Sequence, residues 1–81
     1  MGQAKLLIVE DEFIVAAALQ ANLEAQGYIV VGQADSGEEA LALAAARHPD
    51  LALMDIRLKG GMDGVETARR LRQEMDIPAS S

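Results

Sequence analysis

An α/β domain built on a parallel sheet is the architecture this sequence predicts, and two observations predict it. Short apolar runs, Leu6-Leu7-Ile8-Val9 and Leu51-Ala52-Leu53-Met54, alternate with longer segments of helical period. Each run ends in acid, Glu10-Asp11-Glu12 after the first and Asp55 after the second. Strands that alternate with helices form βαβ units with right-handed crossovers, so both acidic tips emerge on one edge of the sheet.

The elements follow in order. Strand β1 covers 5–9, and helix α1 runs over 12–26 with Val15, Leu19 and Leu23 at i, i+4 spacing and Gly27 as its left-handed cap. Strand β2 covers 28–34. Ser36 with Glu39 three residues later is a capping box that opens helix α2 over 37–47, and His48-Pro49 closes it because a residue before proline avoids helical angles. Strand β3 covers 50–54 and leads into a loop over 56–62 that carries Gly60-Gly61. Asp63 and Glu66 repeat the capping-box spacing and open helix α3 over 64–75. Its apolar stripe is Val65, Ala68, Leu71 and Met75, with Glu66, Arg69, Arg70 and Glu74 on the other faces. Ile77-Pro78-Ala79 begins a fourth strand, β4, over 77–81.

The 81 residues make one small domain, a size that buries only roughly 60% of the surface its unfolded chain exposes. With one Phe, one Tyr and no Trp, the core must be assembled from Leu, Ile, Val, Met and Ala. A formal charge of −6 disfavours direct binding to nucleic acid or to an anionic membrane and favours cations or basic partner patches. The absence of cysteine excludes disulfides, thiol catalysis and thiolate metal sites. The four-residue apolar run after Lys5 is too short for a signal-peptide core or a membrane span, so a cytoplasmic location is expected.

Neighbouring strands lie about 4.8 Å apart, so if β1 and β3 are neighbours, Asp11 and Asp55 reach a common point above the sheet. Ligands of open α/β sheets bind at that carboxyl edge. Carboxylates crowded there repel one another unless a cation is present, and Mg²⁺ fits the need through Glu10, Asp11, Asp55 and a backbone carbonyl near Arg57. With the metal in place, a strand-tip carboxylate can attack a phosphoryl group, and Asp55 is the candidate nucleophile. A single Asp after a strand is more often a turn former, and Glu12 reads as favourable negative charge at a helix start. It is the two acidic tips together that point to a cation site. His48, at the far end of α2, suits the helix dipole better than catalysis. Lys5 opens β1 and so lies on the edge opposite the acids. Gly60 and Gly61 read as loop formers, since no glycine-rich phosphate-binding pattern surrounds them.

Val9-Glu10-Asp11-Glu12, Met54-Asp55-Ile56-Arg57 and Met62-Asp63-Gly64-Val65-Glu66 together resemble the receiver domain of two-component response regulators, over nearly the whole chain. The resemblance implies a flavodoxin-like sheet with strands in the order 2-1-3, helices on both faces, a fourth strand only begun and a fifth missing. It implies a phosphoacceptor signalling domain rather than an enzyme, with Asp55 phosphorylated by a histidine kinase or phosphotransfer protein. Glu10 and Asp11 would be the Mg²⁺-organising pair and the Arg57 carbonyl the third protein ligand. Two departures from the family pattern are Lys59, where a proline is usual, and a loop one residue longer at Gly60-Gly61. Members are about half as long again, and the remainder carries a switch Ser or Thr and a Lys, roles that do not transfer to Ser80 or Ser81.

With order 2-1-3, β3 would be an apolar sheet edge, which predicts a homodimer through β3 or the β4 stub, by pairing or domain swapping. A second reading is therefore an assembly module or fragment that keeps the scaffold without a working switch. A haloacid-dehalogenase-type phosphatase would need an Asp where Arg57 stands. An FMN site would need a hydroxyl- and glycine-rich loop where the three acids stand.

Overall fold

A computed structural model describes residues 3–54 and 62–80. Strands β1 (Lys5–Val9), β2 (Ile29–Ala34), β3 (Leu51–Met54) and β4 (Ala79–Ser80) form one parallel sheet in the order β2-β1-β3-β4. Helices α1 (Phe13–Ala25), α2 (Gly37–Arg47) and α3 (Gly64–Met75) connect them. Element order and strand order follow the sequence expectation, with one correction. β3 is not the sheet edge: Ala79 and Ser80 pair with Ala52 and Leu53, and the Ala52 amide donates to the Pro78 carbonyl at 3.0 Å. Apolar on both faces, β3 pairs along its whole length with β1 and, on its other side, at Ala52 and Leu53 with β4.

Alternation along β1 divides the core. Leu7 and Val9 face α2 and α3, where they join Ala34, Ala40, Ala44, Ala52, Met54, Leu71 and Ile77 in one buried cluster. Leu6 and Ile8 point to the opposite face, on which α1 packs against β1 and β2. Every residue from Leu6 to Val9 is buried, as expected of an inner parallel strand. Full burial of one such side chain stabilises by about 1.5–3 kcal/mol. The small Ala residues at 40, 44 and 52 let α2 lie close on the sheet, which is how a core without large aromatics is filled.

Both capping motifs are present, each with half of the reciprocal box. Ser36 Oγ accepts from the Glu39 amide at 3.2 Å, but Glu39 Oε1 reaches back to the Asp35 amide, at 2.9 Å, rather than to Ser36. Asp63 Oδ1 accepts from the Glu66 amide at 2.8 Å, whereas Glu66 pairs with Arg69. That pairing holds the Glu66 carboxyl below the usual glutamate range, chiefly through the hydrogen bond from Arg69. Helix α1 starts at Glu12 with no side-chain cap bond. Ser36→Ala and Asp63→Ala are each expected to cost about 1 kcal/mol, and Glu12→Ala close to nothing, in urea denaturation.

Two local expectations shift. In α1 the buried position is Ala16 while Val15 is 46% exposed; in α3 the buried set is Gly64, Thr67 and Leu71 while Val65 is 64% exposed. The stripe in α3 turns toward Thr67 because Gly37 admits it: a Cβ on Gly37 would collide with Thr67 Oγ1. His48 before Pro49 takes left-handed angles, φ 51 and ψ 61, and its amide donates to the Ala44 carbonyl, closing α2. Gly27, at φ +96, follows α1 as expected. In β2 the register slips between Leu6 and Leu7, leaving Val31 as an extra residue whose carbonyl accepts from the Arg47 guanidinium at 2.6 Å.

Candidate functional site

The register of β1 on β3 builds the site. Leu6 pairs with Leu51 and Val9 with Met54, so the residues just before Glu10 and Asp55 stand side by side at the carboxyl edge. The Glu10 amide donates to the Ala34 carbonyl at 2.8 Å, which holds the chain against the end of β2 before it turns into α1. Glu10 Oε2 then accepts from the Glu12 amide at 3.1 Å, tightening that turn.

One carboxylate oxygen from each of Glu10, Asp11 and Glu12 lies within 4.8 Å of the others. Glu10 and Asp11 are half-buried and Glu12 is exposed. Carboxylate oxygens are the hard donors that could hold Mg²⁺, which binds through one or two carboxylates and keeps several waters. The two half-buried acids are those the sequence selected, and Glu12, as N-cap, is the one it set aside. Asp55, the Arg57 carbonyl, Lys59 and Gly60-Gly61 lie outside the described residues.

A hollow of about 220 Å³ opens beside the acids, walled by Phe13, Gln33, Asp35 and Glu39. Sequence reading missed these residues as part of the edge. The signal was available in principle, because Asp35 directly follows β2, and every strand end of a parallel sheet reaches the same edge. Next to the acids Phe13 and Ile14 are 79% and 80% exposed, large apolar side chains left uncovered at the start of α1. His48 ends α2, about 16 Å from its start at a rise of 1.5 Å per residue, so it stands away from the acids. Lys5 likewise begins β1 at the opposite edge, where its amide donates to Asp50 Oδ2 at 2.7 Å.

Residues 6–79 match the family described as response regulator receiver domain. The chain belongs to that family. Among curated relatives, this receiver domain is 44% identical over 70 residues to the alkaline phosphatase synthesis transcriptional regulatory protein PhoP of Bacillus subtilis, covering 86% of this chain and 28% of PhoP. It is 47% identical over 75 residues to protein-glutamate methylesterase/protein-glutamine glutaminase 1 of Syntrophus aciditrophicus, covering 91% of this chain and 21% of that protein. The receiver thus spans less than a third of either relative. Among solved structures, the signal receiver domain of a modulated diguanylate cyclase from Desulfovibrio desulfuricans, described as an example of alternate folding, superposes with a TM-score of 0.91 at 48% identity. The match covers 95% of this chain and 62% of that one. The response regulator PhyR from Brucella abortus superposes at 0.87 with 33% identity, over 96% of this chain and 32% of PhyR. One fold therefore serves relatives named for transcription, methylesterase and diguanylate cyclase roles. The receiver itself is a signalling domain, and relatives such as the methylesterase add an enzyme to it.

Proposed function

We propose that this receiver domain accepts a phosphoryl group on Asp55, with Mg²⁺ held by Glu10, Asp11, Asp55 and the Arg57 backbone carbonyl. The observation that carries the reading is the three-acid cluster at the carboxyl edge, set by the pairing of Val9 with Met54. Bound there, the cation would offset repulsion between the anionic nucleophile and the anionic donor. The Asp55 carboxylate forms the new O–P bond. The P–N bond of a phosphohistidine donor breaks, its electron pair returns to the imidazole, and that nitrogen takes a proton from solvent. Glu10 and Asp11 would hold the metal, and the bond from the Glu10 amide to the Ala34 carbonyl keeps Glu10 in place.

The donor is a histidine kinase or phosphotransfer protein. The uncovered Phe13 and Ile14 beside the acids support a protein donor, since apolar side chains at a site rim favour docking over a small substrate. A related PhyR from Bartonella quintana was solved with the anti-sigma factor NepR, so a protein partner is also known for a relative. A cytoplasmic location fits this chemistry, and no helix among the described residues is long and apolar enough to cross a membrane.

The test is intact-mass analysis after incubation with a small phosphoramidate donor. A phosphoryl adduct is expected in Mg²⁺ and not in EDTA, with the modified peptide mapping to Asp55. A folded, unmodified protein in both conditions overturns the reading and favours the assembly module.

A homodimer through the sheet edge is also proposed, now at β4. Beside β4, Leu51 and Leu53 of β3 remain half-buried. An exposed strand edge beside apolar surface is a template for a second copy. Sedimentation velocity at high micromolar concentration should show a dimer; a monomer throughout removes the proposal.

A further inference from the structure

At the edge of the sheet opposite the acids, the ends of α2 and α3 enclose a groove of about 510 Å³ that the phosphoacceptor reading does not use. The size falls within the roughly 300–1,000 Å³ of small-ligand sites. Its floor is apolar, from Ala44, Met75 and Ile77, of which Ala44 and Ile77 are also members of the buried core. Its rim is acidic, from Asp50, Glu74 and Asp76.

Two further features make the rim negative. Helices α2 and α3 both end there, at His48 and Asp76, so the negative ends of both dipoles face the groove. The α3 end uses its Arg72 and Leu71 carbonyls to accept from the Asp76 and Ile77 amides, and the α2 end its Ala44 carbonyl to accept from the His48 amide, while the last carbonyls of a helix in general lack an intrahelical donor. Besides His48, which lines the groove, and Lys5, whose amide donates to Asp50, the nearby basic groups are Arg70 and Arg72, which pair along α3 with Glu74 and Asp76 at 3.0 and 3.2 Å. Those pairs are solvent-exposed and weak, and a carboxylate has about four lone-pair sites, so each can accept a further donor.

An apolar floor under an acidic rim matches one kind of side chain, an aliphatic stem ending in a cation. We propose that the groove docks an Arg or Lys side chain, with an aliphatic neighbour, from a partner polypeptide. The stem lies on Met75 and Ile77, and the head meets Asp50, Glu74 and the helix-end carbonyls. A planar guanidinium, with five donors, answers this spread of acceptors better than an ammonium. The acidic rim disfavours nucleic acid and anionic lipid there. The proposal is independent of the acidic edge, where the phosphoryl chemistry is placed.

The probe is a capped Leu-Arg-Leu-Arg peptide, titrated into the ¹⁵N-labelled protein and followed by amide chemical shifts. A twin peptide with citrulline in place of arginine keeps the shape and removes the charge. Saturable shifts are expected at Ala44, Ala45, Asp50 and Ile77, with affinity at least ~10-fold lower for the citrulline twin. The combined Asp50→Asn, Glu74→Gln, Asp76→Asn variant keeps shape and the Lys5 amide acceptor. It should lower affinity for the arginine peptide by a similar factor while its circular dichroism melt stays cooperative. If that variant unfolds, wild-type protein with the two peptides still decides. Three peptide results overturn the proposal: equal binding of both peptides, no saturable shift at these amides, or shifts confined to Glu10–Glu12. Mg²⁺ alone moving the same groove amides to saturation also overturns it, because the site would then be a cation site.

Discussion

Asp11→Asn is expected to abolish the phosphoryl adduct at modest Mg²⁺ and to recover it as Mg²⁺ is raised, whereas Asp55→Asn loses it at every metal concentration. The difference separates a ligand from a nucleophile. Asp11 is half-buried and contributes one of the three clustered oxygens, so its loss weakens the site without removing the attacking group. Even an outer partner of a metal ligand is typically worth 10–100-fold in affinity, so a direct ligand should cost at least ~100-fold. The same substitution has a second signature with opposite sign. Without metal, Asn relieves repulsion from Glu10 and Glu12, and the variant should melt slightly above wild type. At Mg²⁺ near 100 times its dissociation constant, wild type gains about 2.7 kcal/mol from binding to the folded state alone. For a domain of this size, 1 kcal/mol moves Tm by roughly 4–8 °C, and a variant bound ~100-fold more weakly gains only about 0.4 kcal/mol at the same concentration, so wild type should melt roughly 10 °C above it in Mg²⁺, reversing the metal-free order. Calorimetry with and without Mg²⁺ reads this directly. Equal metal stabilisation of both proteins would place the cation elsewhere.

Gly37→Val is expected to be the most damaging stability change at the α2–α3 contact, at about 3 kcal/mol, the upper end for overpacking. The first atom beyond Cα would sit on Thr67 Oγ1, with the Met62 Cβ and carbonyl oxygen each 3.2 Å away. Thr67 cannot yield cheaply. It is fully buried, and its hydroxyl donates to the Asp63 carbonyl at 2.8 Å. Domains of this length hold on the order of 4–12 kcal/mol in total, so the variant should lose a quarter of its stability or more. Gly37→Ala should cost less, and Thr67→Ala should partly rescue it, giving a coupling of about 1 kcal/mol in a double-mutant cycle. Additive effects in urea denaturation would mean that α2 moves away from α3 instead of pressing on Thr67.

The two expectations differ in how they could be seen. Glu10 and Asp11 were legible because each lies one or two residues past an apolar run, and strand periodicity alone sends that position to the carboxyl edge. Caps were legible for the same local reason: Ser36 and Asp63 need only an amide three residues on. Phe13, Gln33, Asp35 and Glu39 came to that edge as walls of the hollow only through the sheet, because they belong to the ends of different elements. Val65 and Thr67 show the limit most clearly. Periodicity favoured the apolar valine, but the face of α3 that packs is chosen by where α2 has no side chain, and Gly37 lies 30 residues earlier.

Local order therefore sufficed for the α/β class, the helix starts and the acid-bearing strand ends, since turn chemistry and hydrophobic period act within a few residues, whereas the order of the first three strands was implied by the family resemblance. The neighbour of β3, the helix faces that bury Ala16 and Thr67, and the acidic groove below α2 and α3 were decided by tertiary packing. The physical reason is that a backbone edge, a close helix approach or a cavity is a property of two surfaces. Residues remote in the chain become one surface only after the sheet has brought them together.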